Sequence, residues 1–364
     1  SMAFSIDPSG RATQLAGNKI YIVTVVLCAY WGVTFWNFRG LRASARLSKI
    51  GAFCGVIIPG TALVMLACAY LMAGNPSHLS LAAPDFFPDM SRVGNITFAA
   101  SVLLAFAGME MTAVHVRETR NSGRTYPIAI AIAAGTILLA FILGALSIAV
   151  ALAPSEYTLQ TGVTEALDSM LHGFGIPYLG RILALMMALG VIGSVNSWII
   201  GPSKGLMASA EDGMLPEWFS KTNRRGMPTR ILIIQAGIVS LLCLTFTLQP
   251  SVASAYFMLS DLTIQIYLIM YIAMFASAIR LRYSQPGVLR SFRVPFGNTG
   301  LWIVGGLGIL GAVGCVFIGF FPPVQLESQH IHSTVFISFL GIGILAVISL
   351  PYLIQLLLRR IGRT

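Results

Sequence analysis

The chain reads as an all-α membrane protein, and three observations carry that reading. Nine long apolar stretches, at 20–38, 50–73, 96–116, 127–153, 179–202, 231–248, 255–279, 301–321 and 334–358, hold most of its 364 residues. Apolar residues make up 56% of the whole and charged residues only 10%, with a mean hydropathy of +0.81, more than a soluble domain of this size can keep from water. The basic residues, finally, fall on alternate loops. Most stretches reach the roughly 20 residues a helix needs to cross about 30 Å of hydrocarbon. Peptide groups in lipid must bond one another within a helix or a closed barrel, and nothing here alternates as a barrel strand does.

A net charge of +10 would suit a nucleic-acid binder, but its distribution excludes that class. Arg39, Arg42, Arg46 and Lys49 follow the first span, and Arg117, Arg120 and Arg124 the third. Lys204, Lys221, Arg224, Arg225 and Arg230 follow the fifth, Arg280, Arg282, Arg290 and Arg293 the seventh, and Arg359, Arg360 and Arg363 close the chain. Of 23 Lys and Arg, only Arg11, Lys19, Arg92 and Arg181 lie on the other side, where Asp85, Asp89, Glu156, Glu165, Asp168 and Glu327 collect. The basic side is therefore expected to be cytoplasmic. Nine spans then put the N-terminus outside, although no signal peptide precedes the first. The chain opens Ser1-Met2, which reads as a processed or engineered start. The expectation is a fragment whose intact form has an even number of spans.

Taken in order, the spans differ in how far they break their apolar pattern. The first two do so little. The third holds Ala105, Phe106, Ala107 and Gly108 ahead of Glu110. An ionised carboxylate at that depth costs on the order of 2.5–3.5 kcal/mol, so a partner, a proton or water is expected. Small residues before an acid suit a helix-packing seam, or equally an unwound segment whose free peptide groups face a substrate. Asn121-Ser122-Gly123 is turn chemistry, and Pro127 suits the first turn of the fourth span. In the fifth span Ser194, Asn196, Ser197 and Trp198 interrupt the apolar run, and Asn196 reads first as a hydrogen bond to a neighbouring helix. Pro202 is expected to kink that helix near its inner end, before the longest cytoplasmic loop. The seventh span offers Asp261 near its outer end, read as a wet terminal acid, with Tyr267 and Tyr271 on one face as a packing stripe or a cavity wall. Cys28, Cys54, Cys68, Cys243 and Cys315 sit in apolar spans without pairing motifs and read as packing residues. His330 and His332 lack a third ligand, so neither a metal nor any other cofactor is expected.

These residues together resemble a family. Phe106-Ala107-Gly108-Met109-Glu110, followed by Asn121 to Pro127, looks like the sixth helix and following turn of the amino acid-polyamine-organocation transporters. Trp198-Ile199-Ile200-Gly201-Pro202-Ser203-Lys204-Gly205, Gly213 to Pro216 and Phe292-Arg293-Val294-Pro295 resemble the bacterial glutamate/γ-aminobutyrate antiporters in particular, and Gly144 to Ala149 and Phe321-Pro322-Pro323 add to the likeness.

The resemblance implies a LeuT-like fold in which these nine spans are family helices four to twelve. It implies an external segment 1–19, a transmembrane transporter domain 20–359 lacking the first three family helices, and a cytoplasmic tail 360–364. It also implies secondary amino acid transport across a bacterial inner membrane, as antiport of glutamate and γ-aminobutyrate or a related pair. Its partners would be a small amino acid and the lipid bilayer, with no nucleic acid. Substrate contacts implied in this way are Ala105, Phe106, Ala107, Gly108, Glu110, Asn196, Trp198, Tyr267 and Tyr271. Ser194 stands where those antiporters carry glutamate, a departure that bears on substrate. A membrane-embedded enzyme would need converging nucleophile, base or metal ligands, and the intramembrane ionisable residues, Glu110 with Asp261, are too few.

The charge asymmetry predicts that the Arg39–Lys49 and Gly205–Arg230 loops are cytoplasmic and the Gly74–Asn95 and Pro154–Tyr178 loops external. A Ser220→Cys variant in intact cells should therefore resist a membrane-impermeant thiol reagent. Strong labelling there would reverse the topology.

Overall fold

The computed structural model describes residues 11–79, 91, 95–96, 102, 107–153, 162–323, 326 and 332–360, among which there is no strand. Ten helices follow in order: α1 Arg11–Gly17, α2 Lys19–Asn37, α3 Leu41–Met72, α4 Ser122–Ala151, α5 Gly162–Gly173, α6 Tyr178–Glu211, α7 Thr229–Leu248, α8 Val252–Ser284, α9 Gly297–Ile318 and α10 Ser333–Arg360. A 3-10 segment, Met109–Glu118, precedes α4. Among the described residues eight helices are long and apolar enough to cross a membrane: α2, α3, α4, α6, α7, α8, α9 and α10. They match every expected span but the third. Residues 97–101 and 103–106 of that one fall outside the described residues, and its described end is the 3-10 segment.

Several boundaries differ from expectation. The charged run after the first span is largely helix, because α3 begins at Leu41. Arg42, Arg46 and Lys49 recur at helical spacing on one face, while Ser44 and Gly51 are buried on another. Pro127 stands inside α4, not in its first turn: Asn121 takes a left-handed φ of 53° and the helix starts at Ser122. The stretch from Pro154 to Tyr178 holds α5, which was read only as loop. Its 12 residues cannot span a bilayer, yet Ala166, Leu167, Met170 and Leu171 are buried against Leu63, Ala67, Val150 and Leu183. Fully burying a leucine or methionine side chain from water contributes roughly 1.5–3 kcal/mol. On the same helix burial raises the Asp168 carboxyl, and His172 at 3.5 Å pulls it back down.

The chain divides into two compact units. Ser1–Phe86 with Leu138–Ala253 forms one, and Phe87–Ile137 with Ser254–Thr364 the other. In the first, α3 and α6 meet backbone to backbone. A Cβ on Gly51 would lie 2.6 Å from the Gly193 Cα, and one on Gly190 would lie 2.8 Å from the Gly55 Cα. Small residues at this spacing let helices approach where lipid supplies no hydrophobic drive between them. Polar groups then fasten the seam. The Asn196 Nδ2 donates to Ser44 O at 2.9 Å, Ser44 Oγ at 2.9 Å and Ser48 Oγ at 2.8 Å, and the Ser48 and Ser197 hydroxyls lie 2.8 Å apart. Within the contact α3 loosens into a π turn, Phe53–Ile57, just before Pro59, whose ring nitrogen has no proton for the ladder.

Pro202 does not end its helix, since α6 continues to Glu211. A proline there leaves the carbonyl one turn back, that of Trp198, without its amide donor. Gln235 of α7 takes the place of that donor. Its Nε2 donates to Trp198 O at 3.4 Å while its Oε1 accepts from Ser203 Oγ at 2.8 Å. The loop from 212 to 228 is pinned by Asn223, which donates to Phe38 O at 3.0 Å and accepts from the amides of Arg225 and Met227.

In the second unit small residues again set the approach of helices. A Cβ on Gly308 of α9 would lie 2.6 Å from the Phe275 ring of α8, and one on Gly343 of α10 would lie 2.7 Å from Leu262. Met258, Leu326, Phe336 and Leu340 form a fully buried cluster there. The C-terminus of α8 is capped by Arg290, whose guanidinium donates to Leu281 O at 2.8 Å and Gln285 O at 3.0 Å.

Two outcomes follow from these contacts. Gly55→Leu should lower stability by about 1–3 kcal/mol or more, because the facing atoms are backbone. Gln235→Leu should cost about 0.5–1.5 kcal/mol by removing a donor to Trp198 O, and less in a Pro202→Ala background, where an amide returns to Trp198 O. Thermal unfolding of the purified variants measures both. Equal penalties for Gln235→Leu in the two backgrounds would break the link between Gln235 and Pro202.

Candidate functional site

The clearest irregularity in the second unit lies where the third span's small residues meet its acid. Ala107 and Gly108 form a turn, and Gly108 adopts φ +93° and ψ −4°, a left-handed conformation that only glycine takes without penalty. The chain then resumes as the 3-10 segment, Met111 N–H donating to Gly108 O at 3.1 Å. Of the two readings of these small residues, the structure has the broken backbone. Glu110 closes over the break. Its Oε2 accepts from the Gly108 amide at 3.1 Å and from the Tyr271 hydroxyl at 2.8 Å. Thr112 holds the next turn, donating to Met109 O at 2.8 Å, with the Tyr126 hydroxyl 3.1 Å away. The carboxylate thus ties the broken segment to α8, and Thr112 with Tyr126 ties it to the start of α4.

A cavity of about 550 Å³ adjoins this arrangement. Its walls come from Ala107, Met109 and Glu110, from Tyr126 and Ile130 of α4, from Tyr267, Leu268, Tyr271 and Phe275 of α8, and from Leu307, Gly308 and Gly311 of α9. The volume suits a small organic molecule, and a mostly apolar wall with a few convergent polar groups is the ordinary form of a ligand site. Tyr267 and Tyr271 both pack and line: their rings lie 5.9 Å apart and both face the cavity.

The structure therefore brings Ala107, Gly108, Glu110, Tyr267 and Tyr271 together. Ala105 and Phe106 lie outside the described residues. Asn196 and Trp198 belong to the other unit. Asn196 is wholly buried in the α3–α6 seam with its amide committed to Ser44 and Ser48, the packing role that its sequence context favoured. Trp198 is 37% exposed, and its carbonyl is the one that Gln235 serves. Asp261 corrects an expectation: far from a wet terminal acid, it sits well inside α8 at 6% exposure. Sequence reasoning did not find Tyr126, Met109 or the α9 glycines of the cavity. The spacing of Gly305, Gly308 and Gly311 was the available signal.

A helical membrane bundle with a broken span, a carboxylate across the break and a ligand-sized cavity beside it has the form of a carrier. The family model for amino acid permeases matches residues 1–347, and the chain belongs to that family. It is 34% identical over 342 residues to an uncharacterized transporter of Legionella pneumophila, covering 94% of this chain and 73% of that protein. It is 31% identical over 332 residues to a glutamate/gamma-aminobutyrate antiporter of Lactococcus lactis subsp. lactis, covering 90% of this chain. A putrescine transporter of Escherichia coli is 26% identical over 305 residues. The chain spans 66% of the length of the lactococcal antiporter and 62% of the putrescine transporter.

Gly108→Ala should destabilise the protein by about 1–2 kcal/mol, the cost of a left-handed alanine. Gly311→Ala, in the same cavity but on a regular helix with open space at its Cβ, should not. Unfolding midpoints that fall equally in the two variants would count against the left-handed turn.

Proposed function

We propose that the chain is the greater part of a secondary active amino acid transporter that exchanges glutamate and γ-aminobutyrate, or a closely related pair, by alternating access in a bacterial inner membrane. The observation that carries this reading is the Glu110 carboxylate held across the Gly108 break by Tyr271, on the wall of a cavity sized for a small molecule. The likeness to the lactococcal antiporters supports the choice of substrates. In this reading the peptide groups from Ala105 to Gly108 receive the substrate's ammonium. Tyr267 and Tyr271 close one side, and Trp198 acts as a gating aromatic. Asn196 has a positioning role, holding α6 on α3. Exchange follows when the empty carrier reorients slowly and the loaded one readily.

A second reading, a proton-coupled permease of other specificity, is favoured by Ser194, which stands where the antiporters it resembles have glutamate. Counterflow separates the two. Proteoliposomes of the full-length protein loaded with γ-aminobutyrate should take up labelled glutamate several-fold faster than empty ones. Uptake that needs only an inward proton gradient supports the permease, and uptake without trans-stimulation or gradient dependence points to a channel. Trp198→Ala should impair exchange while leaving membrane insertion intact. Glu110→Gln keeps the shape of the site but removes the carboxylate that Gly108 and Tyr271 hold, so it should slow exchange several-fold while leaving membrane insertion intact. Exchange at the wild-type rate would leave Glu110 a purely structural clasp.

A further inference from the structure

Glu110 has partners; Asp261, in α8 of the same unit, stands differently. Asp261 is 6% exposed, and its Oδ2 is buried without a hydrogen-bond partner among the described residues. One turn further along α8, on the same face, Gln265 is 1% exposed. Its amide is fixed in one sense, because Nε2 donates to Val316 O at 3.3 Å and packs so close to Gly319 that no Cβ fits there. That leaves Gln265 Oε1 pointing the other way, also buried and also without a partner. Among the described residues neither oxygen has a hydrogen-bond partner. The adjacent cluster is Met258, Leu326, Phe336 and Leu340.

No charged side chain lies on α9 or on α10 from Ser333 to Ile354, so no cation faces Asp261 from the helices packed on it. The titratable residues on these elements are Cys315 on α9, His332 just before α10, and Tyr256, Tyr267 and Tyr271 on α8 itself, with Arg280, Arg282 and Tyr283 at the far end of α8. Two acceptors buried together in apolar surroundings are a costly arrangement, and an ionised one costlier still. A single proton removes the cost. It turns Asp261 Oδ2 into a donor on the face where Gln265 Oε1 lacks one. A metal cation is a poor substitute: a calcium-type ion gathers about six to eight oxygens, and these two are the unpartnered ones on α8 among the described residues. Among the described residues no three His, Cys, Asp or Glu side chains gather anywhere.

We infer that Asp261 is a proton-binding site, occupied in this conformation by a proton that it donates to Gln265 Oε1. Between Asp261 and Tyr267 the helix advances only about 9 Å. Ile264 and Leu268, on the face that follows Asp261, line the cavity beside Glu110. A change in packing around α9 and α10 that admits water to Asp261 would release the proton, and reburial would take one up. This gives the transport reading, on which the use of the proton rests, a site for coupling that is separate from the substrate contacts.

Infrared spectroscopy of the purified protein in lipid nanodiscs reads the proton directly. At about pH 6, well above the about 3.9 of an ordinary aspartate, a protonated-carboxyl C=O band should be present, lost in Asp261→Asn and kept in Glu110→Gln. The asparagine amide can donate to Gln265 Oε1 in the same way, so the fold should survive. As a second variant, Gln265→Leu should shift the band to higher frequency, its acceptor being gone. Coincident spectra for wild type and Asp261→Asn would mean an ionised Asp261 and would overturn the proposal. A band that vanishes when sodium replaces potassium would reassign the site to a metal cation. In proteoliposomes enclosing a pH dye, amino acid flux in the wild type should move protons, and Asp261→Asn should carry amino acid without that signal. Flux without proton movement in the wild type would sink the coupling role. No amino acid flux at all would sink the transport reading alone, and the infrared result would still decide Asp261.

Discussion

Hydrocarbon offers a peptide group no hydrogen bond, and every irregularity in this protein is shaped by that fact. Where a helix keeps its ladder, nothing more is needed. Where the ladder fails, a side chain from elsewhere steps in. Pro202 takes an amide away and Gln235 returns one. At Gly108 the chain takes a left-handed turn, and the Glu110 carboxylate accepts from the amide at that turn, with Tyr271 anchoring the carboxylate. At the end of α8 it is Arg290 that answers the last carbonyls. Such repairs place polar side chains at depth, where they are also available to a small polar ligand.

Glycine sets the second condition. In a soluble protein the hydrophobic effect draws helices together, but here the surrounding lipid is as apolar as leucine and contact must be won by close fit. Gly51, Gly55, Gly190 and Gly193 bring α3 and α6 near enough for one asparagine to reach two serines. Gly308 lets Phe275 lie flat against α9 at the edge of the cavity. Long apolar side chains, which dominate the composition, mostly face outward: Leu138, Leu139, Phe141 and Ile142 of α4 are all exposed. The smallest residues set where helices touch, and a limited set of large ones, Leu167, Ile199, Met258 and Phe336 among them, fills the space between.

How much of this was legible in the sequence follows from what hydropathy measures. It found the spans, because each is a long run that must be helical in lipid. It misplaced their ends, because Arg42 and Lys49 stop a span but not a helix. It passed over α5, which is too short to cross and buries only one face. Glu110 beside Ala107 and Gly108 announced itself as an acid where acids are rare, and the break fell at that point. Asp261 was misread because distance from the end of an apolar run says nothing of what packs around it. Asn196 could be read either as substrate contact or as helix staple, and only its partners Ser44 and Ser48, far away in the chain, separate the two. Pairings across such separations have no local signature.

The π turn in α3 carries one more consequence, and it concerns rotational phase. From Gly51 onward the buried residues of that helix, Gly51, Gly55, Pro59, Leu63 and Ala67, recur every fourth position. A regular helix has 3.6 residues per turn, so a four-residue rhythm drifts about 40° around the axis at each step. Left alone, the drift would carry Ala67 most of the way to the opposite side from Gly51. The π turn takes more residues per turn and slows the rotation where Gly55 meets Gly190, which keeps the stripe aimed inward for longer. Counting residues along α3 is therefore part of its packing. Insertion or deletion of one residue between Gly51 and Pro59 would leave composition and hydropathy unchanged, yet would turn the whole far half of the helix to present the wrong face.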